Sequence, residues 1–300
     1  MKIIIAVAIT LASITPANPL FSQAKPKADS VKTNKNDAWQ PSTFSGLKFR
    51  NIGPALVSGR IVDLAVNPKN ISEYYIATAN AGIWKTNNAG TTFIPLFDNE
   101  ASFSMGCVTI DPTNVNVVWA GSGENNNQRV AGYGDGVYKS EDAGKSWKNM
   151  GLKTSEHIGK IAIDPTNADV VYVAAYGPLW ASGGERGIYK TTDGGKTWKA
   201  VLTVSENTGF NEVMIDPRNT NIIYAAAHQR QRKVFTYIGG GPESALYKST
   251  DGGTTWSKAM KGLPTDINIG RIGMAMSPVN PDYLFAIVET ADPAKGGVFA

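Results

Sequence analysis

The stretch "KTTDGGKTW", from Lys190 to Trp198, returns as "KSTDGGTTW" (Lys248 to Trp256), as "KSEDAGKSW" (Lys139 to Trp147) and, altered, as "KTNNAGTTF" (Lys85 to Phe93). The turn glycines Gly90, Gly144, Gly195 and Gly253 stand 54, 51 and 58 residues apart. A period of this length means that one supersecondary unit is repeated and that each copy buries its apolar face against the next. A motif carried in four copies is architectural before it is catalytic.

Each copy follows a similar lead-in: "RIVDLAVNPKNISEYYIATA", "GCVTIDPTNVNVVWAGS", "GKIAIDPTNADVVYVAA" and "NEVMIDPRNTNIIYAAA", with a fifth, "RIGMAMSPVNPDYLFAIVE", near the end. In the third period, "GKIAIDP" alternates Ile161 and Ile163 with Lys160 and Ala162, a polar turn follows, and "VVYVAA" is a β-branched apolar run. Both read as strands. "GIYKTT" supplies a third strand, Asp193-Gly194-Gly195 a tight hairpin turn, and "KTWKAVL" a fourth strand with its Trp turned inward. Four antiparallel strands per period make a propeller blade. The expected fold is an all-β propeller of four-stranded antiparallel blades, four complete and a fifth truncated at "GGVFA". Its unclosed ring predicts further blades in a longer chain.

The turn has a mechanism. An Asp there accepts hydrogen bonds from backbone N–H groups one or two residues on, Gly supplies a positive φ, and a preceding Ser or Thr hydroxyl ties the strand end. The expected structural set is Asn88, Asp142 with Trp147, Asp193 with Trp198, and Asp251 with Trp256. These residues resemble the Asp-box, or BNR repeat, of sialidases, family 74 xyloglucanases, sortilin-type (VPS10) receptors and a photosystem assembly factor. The resemblance covers residues 46–300. The long "GDGVYKSEDAGKSW" and "HQRQRKVFTYIGGGPESALYKSTDGGTTW" stretches look most like exported bacterial proteins with a sortilin-like N-terminal propeller, often labelled glycosyl hydrolase.

At 42% hydrophobic and 18% charged residues, the 300-residue chain is too apolar to be disordered. Residues 39–300 carry 24 Lys and Arg against 23 Asp and Glu, so no nucleic-acid partner is expected. The opening "MKIIIAVAITLASITPANPLFSQA" reads as a secretory signal over residues 1–24, and residues 25–45 as a polar linker. No membrane span is expected after signal removal, and the protein should be exported. A single cysteine, Cys107, and two histidines, His157 and His228, argue against disulfides, metal sites and cofactors.

Strand alternation puts the repeated turns on one face of the propeller and the strand 2 to strand 3 loops on the other. Those loops grow from "NA" in the first blade to "GSGENNNQRVAGYGDG", "YGPLWASGGERG" and "HQRQRKVFTYIGGGPESA" in the next three. This face is the expected ligand surface. Its candidate binding residues are Arg60, Glu124, Arg129, His157, Trp180, His228 and Arg230. Arg60 either caps carbonyls at the channel rim or touches ligand; His157 is either a satisfied strand-end residue or a ligand contact. Trp180 reads first as a hydrophobic plug and second as a sugar-stacking platform. Arg230, Arg232 and Lys233 read as a solvated loop face, or as an attractor for an acidic ligand.

Two functions fit. In the first, the propeller binds a peptide, glycan or protein at the loop face and does no chemistry. The alternative is glycoside hydrolysis, which needs two carboxyl groups about 5–5.5 Å apart for retention or about 6.5–9.5 Å for inversion. The candidates are Glu124, Asp135, Glu185 and Glu243. A sialidase would want Arg-Ile-Pro near the start, where this chain has "FRNIGPAL". The family 74 resemblance implies two propellers around a cleft with one catalytic Asp from each, so this stretch alone would be inactive.

Overall fold

The computed structural model of the chain describes Gly46, residues 59–126 and residues 131–300. The expected signal and linker and Arg129 lie outside the described residues. The chain divides into residues 1–50 and a compact unit over residues 51–300, and that second unit is five antiparallel sheets in series. The first holds β1 (Ile61–Val66), β2 (Tyr74–Thr78), β3 (Ile83–Thr86) and β4 (Ile94–Pro95), and the second β5 (Met105–Ile110), β6 (Val118–Ser122), β7 (Val137–Ser140) and β8 (Lys148–Gly151). The third holds β9 (Ile158–Asp164), β10 (Asn167–Ala175), β11 (Gly187–Thr191) and β12 (Lys199–Leu202). In the fourth, β13 (Thr208–Ile215) and β14 (Ile223–Gln229) are followed by a small hairpin, β15 (Gln231–Arg232) with β16 (Tyr237–Ile238), before β17 (Ala245–Ser249) and β18 (Ser257–Lys258) complete the sheet. The fifth has three strands, β19 (Ile269–Met276), β20 (Leu284–Thr290) and β21 (Gly297–Phe299). The sheets are arranged as a propeller, four blades complete and the fifth lacking its outer strand.

First strands of successive blades touch one another, β1 with β5, β5 with β9, β9 with β13 and β13 with β19, so they line the axis. Small residues permit this approach. A Cβ on Gly106 would lie 2.0 Å from the Ile158 carbonyl oxygen, and one on Gly159 would lie 2.6 Å from that of Asn211. The pairing of each first strand with its second is broken near its start by a register shift, as between Met105 and Cys107 and between Phe210 and Glu212. Such bulges re-aim side chains, here at the mouth of the axial channel.

The core is four separate clusters, one in each gap between blades. β10 shows how one strand feeds two of them: Val171, Val173 and Ala175 pack toward the second blade with Cys107, Trp119 and Ile158, while Tyr172 and Ala174 pack toward the fourth with Phe210 and Ala225. A strand covered on both faces has to be apolar at consecutive positions, which is why "VVYVAA" shows no polar alternation.

In the third blade, the Thr191 hydroxyl donates to Asp193 (2.7 Å) and accepts from Gly195 N–H (3.0 Å), while Asp193 accepts from Thr197 N–H (2.9 Å) and from the Thr197 hydroxyl (2.6 Å). Ser140, Asp142, Gly144 and Ser146 repeat the set, as do Ser249, Asp251, Gly253 and Thr255. In the first blade Asn88 Oδ1 accepts from Thr92 N–H (2.9 Å), while its amide nitrogen donates to the Thr92 hydroxyl (2.9 Å). Two expectations are corrected. The Asp reaches mainly four residues on, not one or two, because the connection between β11 and β12 spans residues 192–198 and is no tight hairpin. Trp198 precedes β12 and lies outside the strand.

These turns fasten blade to blade. The indole N–H of Trp147 donates to the Leu96 carbonyl (2.9 Å) and that of Trp198 to Met150 (2.8 Å), each in the preceding blade. From the other side, the Tyr75 hydroxyl donates to the Ala143 carbonyl (3.1 Å) and Tyr172 to Gly252 (2.8 Å). The Lys that opens each motif lies over an aromatic ring of its own blade's second strand: Lys85 on Tyr75, Lys139 on Trp119, Lys190 on Tyr172 and Lys248 on Tyr224, at 5.0–5.3 Å.

Candidate functional site: the channel mouth

The loop that leaves β6 crosses the channel mouth, and three of its residues reach all five blades. Glu124 Oε1 accepts from Arg60 of the first blade, through Nε (2.9 Å) and Nη2, and its backbone N–H donates to Ser104 of its own blade (3.1 Å). His157 of the third blade donates from Nδ1 to the Glu124 carbonyl (2.8 Å). The Asn125 side-chain amide donates to the carbonyls of Gly106 (3.1 Å) and Gly159 (2.7 Å), bridging two innermost strands. Arg230 of the fourth blade donates to the Asn125 and Asn126 carbonyls (3.4 and 2.5 Å), and Arg271 of the fifth to the Asn125 carbonyl (3.0 Å). Segment 124–126 is the hub of the face.

The hub corrects the reading of Arg230 as solvated: it is fully buried, lies over the Tyr176 ring at 5.5 Å, and spends two nitrogens on backbone carbonyls. His228, also fully buried, donates from Nε2 to the Gly239 carbonyl (2.9 Å) and accepts the Tyr176 hydroxyl at Nδ1. Burial pushes both imidazoles down to about 3: the nearby Arg230 adds to it at His157, where the Glu124 carbonyl opposes it, and at His228 the Gly239 carbonyl opposes while Arg230 and Arg271 add. Both rings are neutral at physiological pH.

The four candidate carboxylates are engaged separately. Asp135 accepts from the Tyr138 hydroxyl (2.6 Å) and the Ser122 hydroxyl (3.2 Å), Glu185 from Thr154 N–H and hydroxyl (both 2.9 Å), and Glu243 from the hydroxyls of Ser205 (2.6 Å) and Thr208. The hydrogen bonds of Ser205 and Thr208 hold the Glu243 carboxyl below its ordinary range. Glu124, wholly buried, serves Arg60.

Below the hub, Lys160 reaches across to Asp63 (3.0 Å), which also accepts from Val108 N–H (3.1 Å). Burial raises Glu212 to about 6 against the opposing pull of Lys160 and Arg271. Lys160 thus pairs with Asp63 and also draws on the Glu212 carboxyl. Cys107 is buried, and burial pushes its thiol up to about 12. It is inert.

Above the hub the surface is aromatic. Phe103, Tyr133, Trp180, Phe235 and Tyr237 are exposed on loops of the second, third and fourth blades. Trp180 is 52% exposed, which corrects its first reading as a plug. Leu179, in the same loop, plugs instead at 1% exposure, and the buried Arg186 holds that loop through the carbonyls of Tyr176 (2.8 Å), Ala181 (2.7 Å), Gly183 (2.9 Å) and Pro178. Ser182, Asn207 and Gln231 join the Trp180 loop to the β15–β16 hairpin by side-chain hydrogen bonds.

Sequence reasoning passed over Asn125, Lys160, Arg186 and Arg271. Asn125 sits in the run "ENNN" and Arg271 in "NIGRIGMAM", and nothing local marks either of them or Arg186. Among the described residues no cluster of His, Cys, Asp and Glu has metal-binding geometry, and no helix is long and apolar enough to cross a membrane.

The fold and face define a blade-repeat propeller with a closed polar hub and an aromatic loop surface. Residues 135–267 match the family model of sortilin, neurotensin receptor 3 (Sortilin-Vps10). The chain is similar to a xyloglucanase of Hypocrea jecorina (strain QM6a), 24% identical over 293 residues that cover 88% of this chain and 30% of the relative. A Paenibacillus xyloglucanase is 24% identical over 239 residues, covering 72% of this chain and 22% of the relative. The chain therefore spans less than a third of the length of these two relatives. Among solved structures, a GH74 enzyme of Niastella koreensis superposes with a TM-score of 0.60 at 20% identity over 80% of this chain and 36% of that one. The GH74 xyloglucanase from Xanthomonas campestris gives 0.54 at 17% over 76% and 35%. The shared feature is the propeller fold.

Proposed function

We propose that this chain is the propeller part of an exported, xyloglucanase-like glycoside hydrolase and that its loop face holds a neutral glucan chain. One observation carries the reading: the xyloglucanase of Hypocrea jecorina matches along 88% of the chain. The chemistry of the face agrees. Pyranose rings present apolar C–H faces that stack on aromatic side chains, and hydroxyl edges that need amide and hydroxyl partners. Phe103, Tyr133, Trp180 and Phe235 offer the first, and Ser182, Asn207 and Gln231 the second. Turnover needs a carboxyl pair. Asp135, Glu185 and Glu243 each hold their own local hydroxyl partners and Glu124 holds Arg60, so the second member of the pair is expected from outside this stretch.

A second reading, binding of a glycan, peptide or protein without turnover, is favoured by that same separation of the carboxylates. Xyloglucan and cello-oligosaccharides, offered to the chain alone and to the complete protein, separate the two. The hydrolase reading expects binding by the chain and reducing-end release by the complete protein; binding with no release leaves the second reading; no glycan binding by either sinks the first. Trp180→Ala should weaken glucan binding about tenfold, the loss of one stacking contact.

A further inference from the structure

Among the described residues, three buried polar atoms at the hub have no hydrogen-bond partner: Glu124 Oε2, His157 Nε2 and Arg230 Nε. Their residues are contiguous, since His157 bonds the Glu124 carbonyl and Arg230 bonds Asn125 and Asn126. All three are fully buried. Because a carbonyl can only accept, Nδ1 of His157 must carry the proton, and Nε2 is left as a bare lone pair. Glu124 spends its other oxygen on Arg60 and Asn126. The hub thus holds two acceptors without a donor and one donor without an acceptor. Leaving such atoms unsatisfied is costly, and native proteins keep few of them without a purpose.

We infer that Glu124 Oε2, His157 Nε2 and Arg230 Nε form a subsite for a hydroxyl-rich ligand, the vicinal diol of a neutral saccharide. This rests on the glucan reading above and assigns part of the sugar contact to buried groups. The two acceptors take the two hydroxyl protons, and Arg230 Nε–H donates to one hydroxyl oxygen. An anion is disfavoured because the Glu124 carboxylate would repel it, and a cation because Arg60 and Arg230 stand against it. The entrance has two edges. The Tyr133 ring, 58% exposed, lies 6.0 Å from the His157 ring, and the Arg60 side chain, 39% exposed, borders Glu124. Tyr133 is the part that must swing aside.

Two histidines make the test direct. Long-range proton–nitrogen NMR on the wild-type chain resolves both imidazoles, and in the free protein His157 should show a protonated Nδ1 with a bare Nε2. Saturating cellotetraose or a xyloglucan oligosaccharide should move the His157 Nε2 resonance to the position of a hydrogen-bonded acceptor and leave His228, already bonded at both nitrogens, in place. Glu124→Gln, with its fold checked by thermal melting, should weaken binding about tenfold or more. Binding without movement of the His157 signal overturns the subsite and spares the glucan reading. A His157 signal already in the bonded position before ligand, and unchanged by it, shows a permanent internal water and also overturns it. Absence of binding overturns both.

Discussion

The indole N–H of Trp198 donates a 2.8 Å hydrogen bond to the carbonyl of Met150, a residue of the preceding blade. Trp147 does the same to Leu96 (2.9 Å), whereas Trp256 turns to Gly253 of its own motif (3.1 Å). Trp198→Phe and Trp147→Phe should each lower stability by about 1–3 kcal/mol, since each strands an inter-blade acceptor and trims a packed ring. Trp256→Phe should cost less. Urea denaturation of the three variants gives the comparison, and equal losses would contradict the fastening role.

Ala143 holds φ 59°, a left-handed conformation that costs a non-glycine residue about 1–2 kcal/mol; the third and fourth blades place Gly194 (φ 69°) and Gly252 (φ 68°) there. Ala143→Gly relieves the strain against an unfolded-state entropy cost of about 0.5–1 kcal/mol. The expected outcome is a net gain of a few tenths to about 1 kcal/mol, read as a raised melting temperature. Gly194→Ala should move it the other way.

Hydrogen bonds from Ser146 and Thr255 hold Asp142 and Asp251 at about 2, and those of Thr197 and Thr191 pull Asp193 lower still. A carboxyl depressed in the folded state stabilises it above its unfolded pKa, near 4, and that contribution disappears as pH falls through the folded value. Stability should drop between about pH 4 and pH 2. Asp193→Asn should lower the melting temperature at neutral pH and flatten part of that acid slope.

His157 and His228 lie well below the unfolded imidazole value of about 6.5. As pH falls, the unfolded chain takes up protons first, so the stability that these neutral rings contribute is complete above about pH 6.5 and lost toward pH 3. An NMR titration should find neither ring protonating between pH 8 and pH 5. A midpoint near 6.5 for His157 would mean that the hub is open to water.

How much of this was legible in the chain depends on range. The blades could be read because turn-glycine spacing, strand alternation and turn residues are local and repeated four times; Asp193, Thr191 and Trp198 each carry their signal within nine residues. The site could be read only as a face. Loop lengths pointed to it, but Arg230 sits in a charged run, "RQRK", that looks solvated, and only its passage over Tyr176 to the Asn125 carbonyl shows it buried.

The sequence by itself determined the repeat, the all-β blades and the turn chemistry, since each depends on hydrogen bonds and side-chain periodicity among near neighbours. The tertiary structure alone decided that Glu124, Asn125 and Asn126 would meet Arg60, His157, Arg230 and Arg271, partners separated by up to 146 residues. The stacking of successive blades around an axis brings them together, and no local pattern encodes which first strands will face one another across a channel.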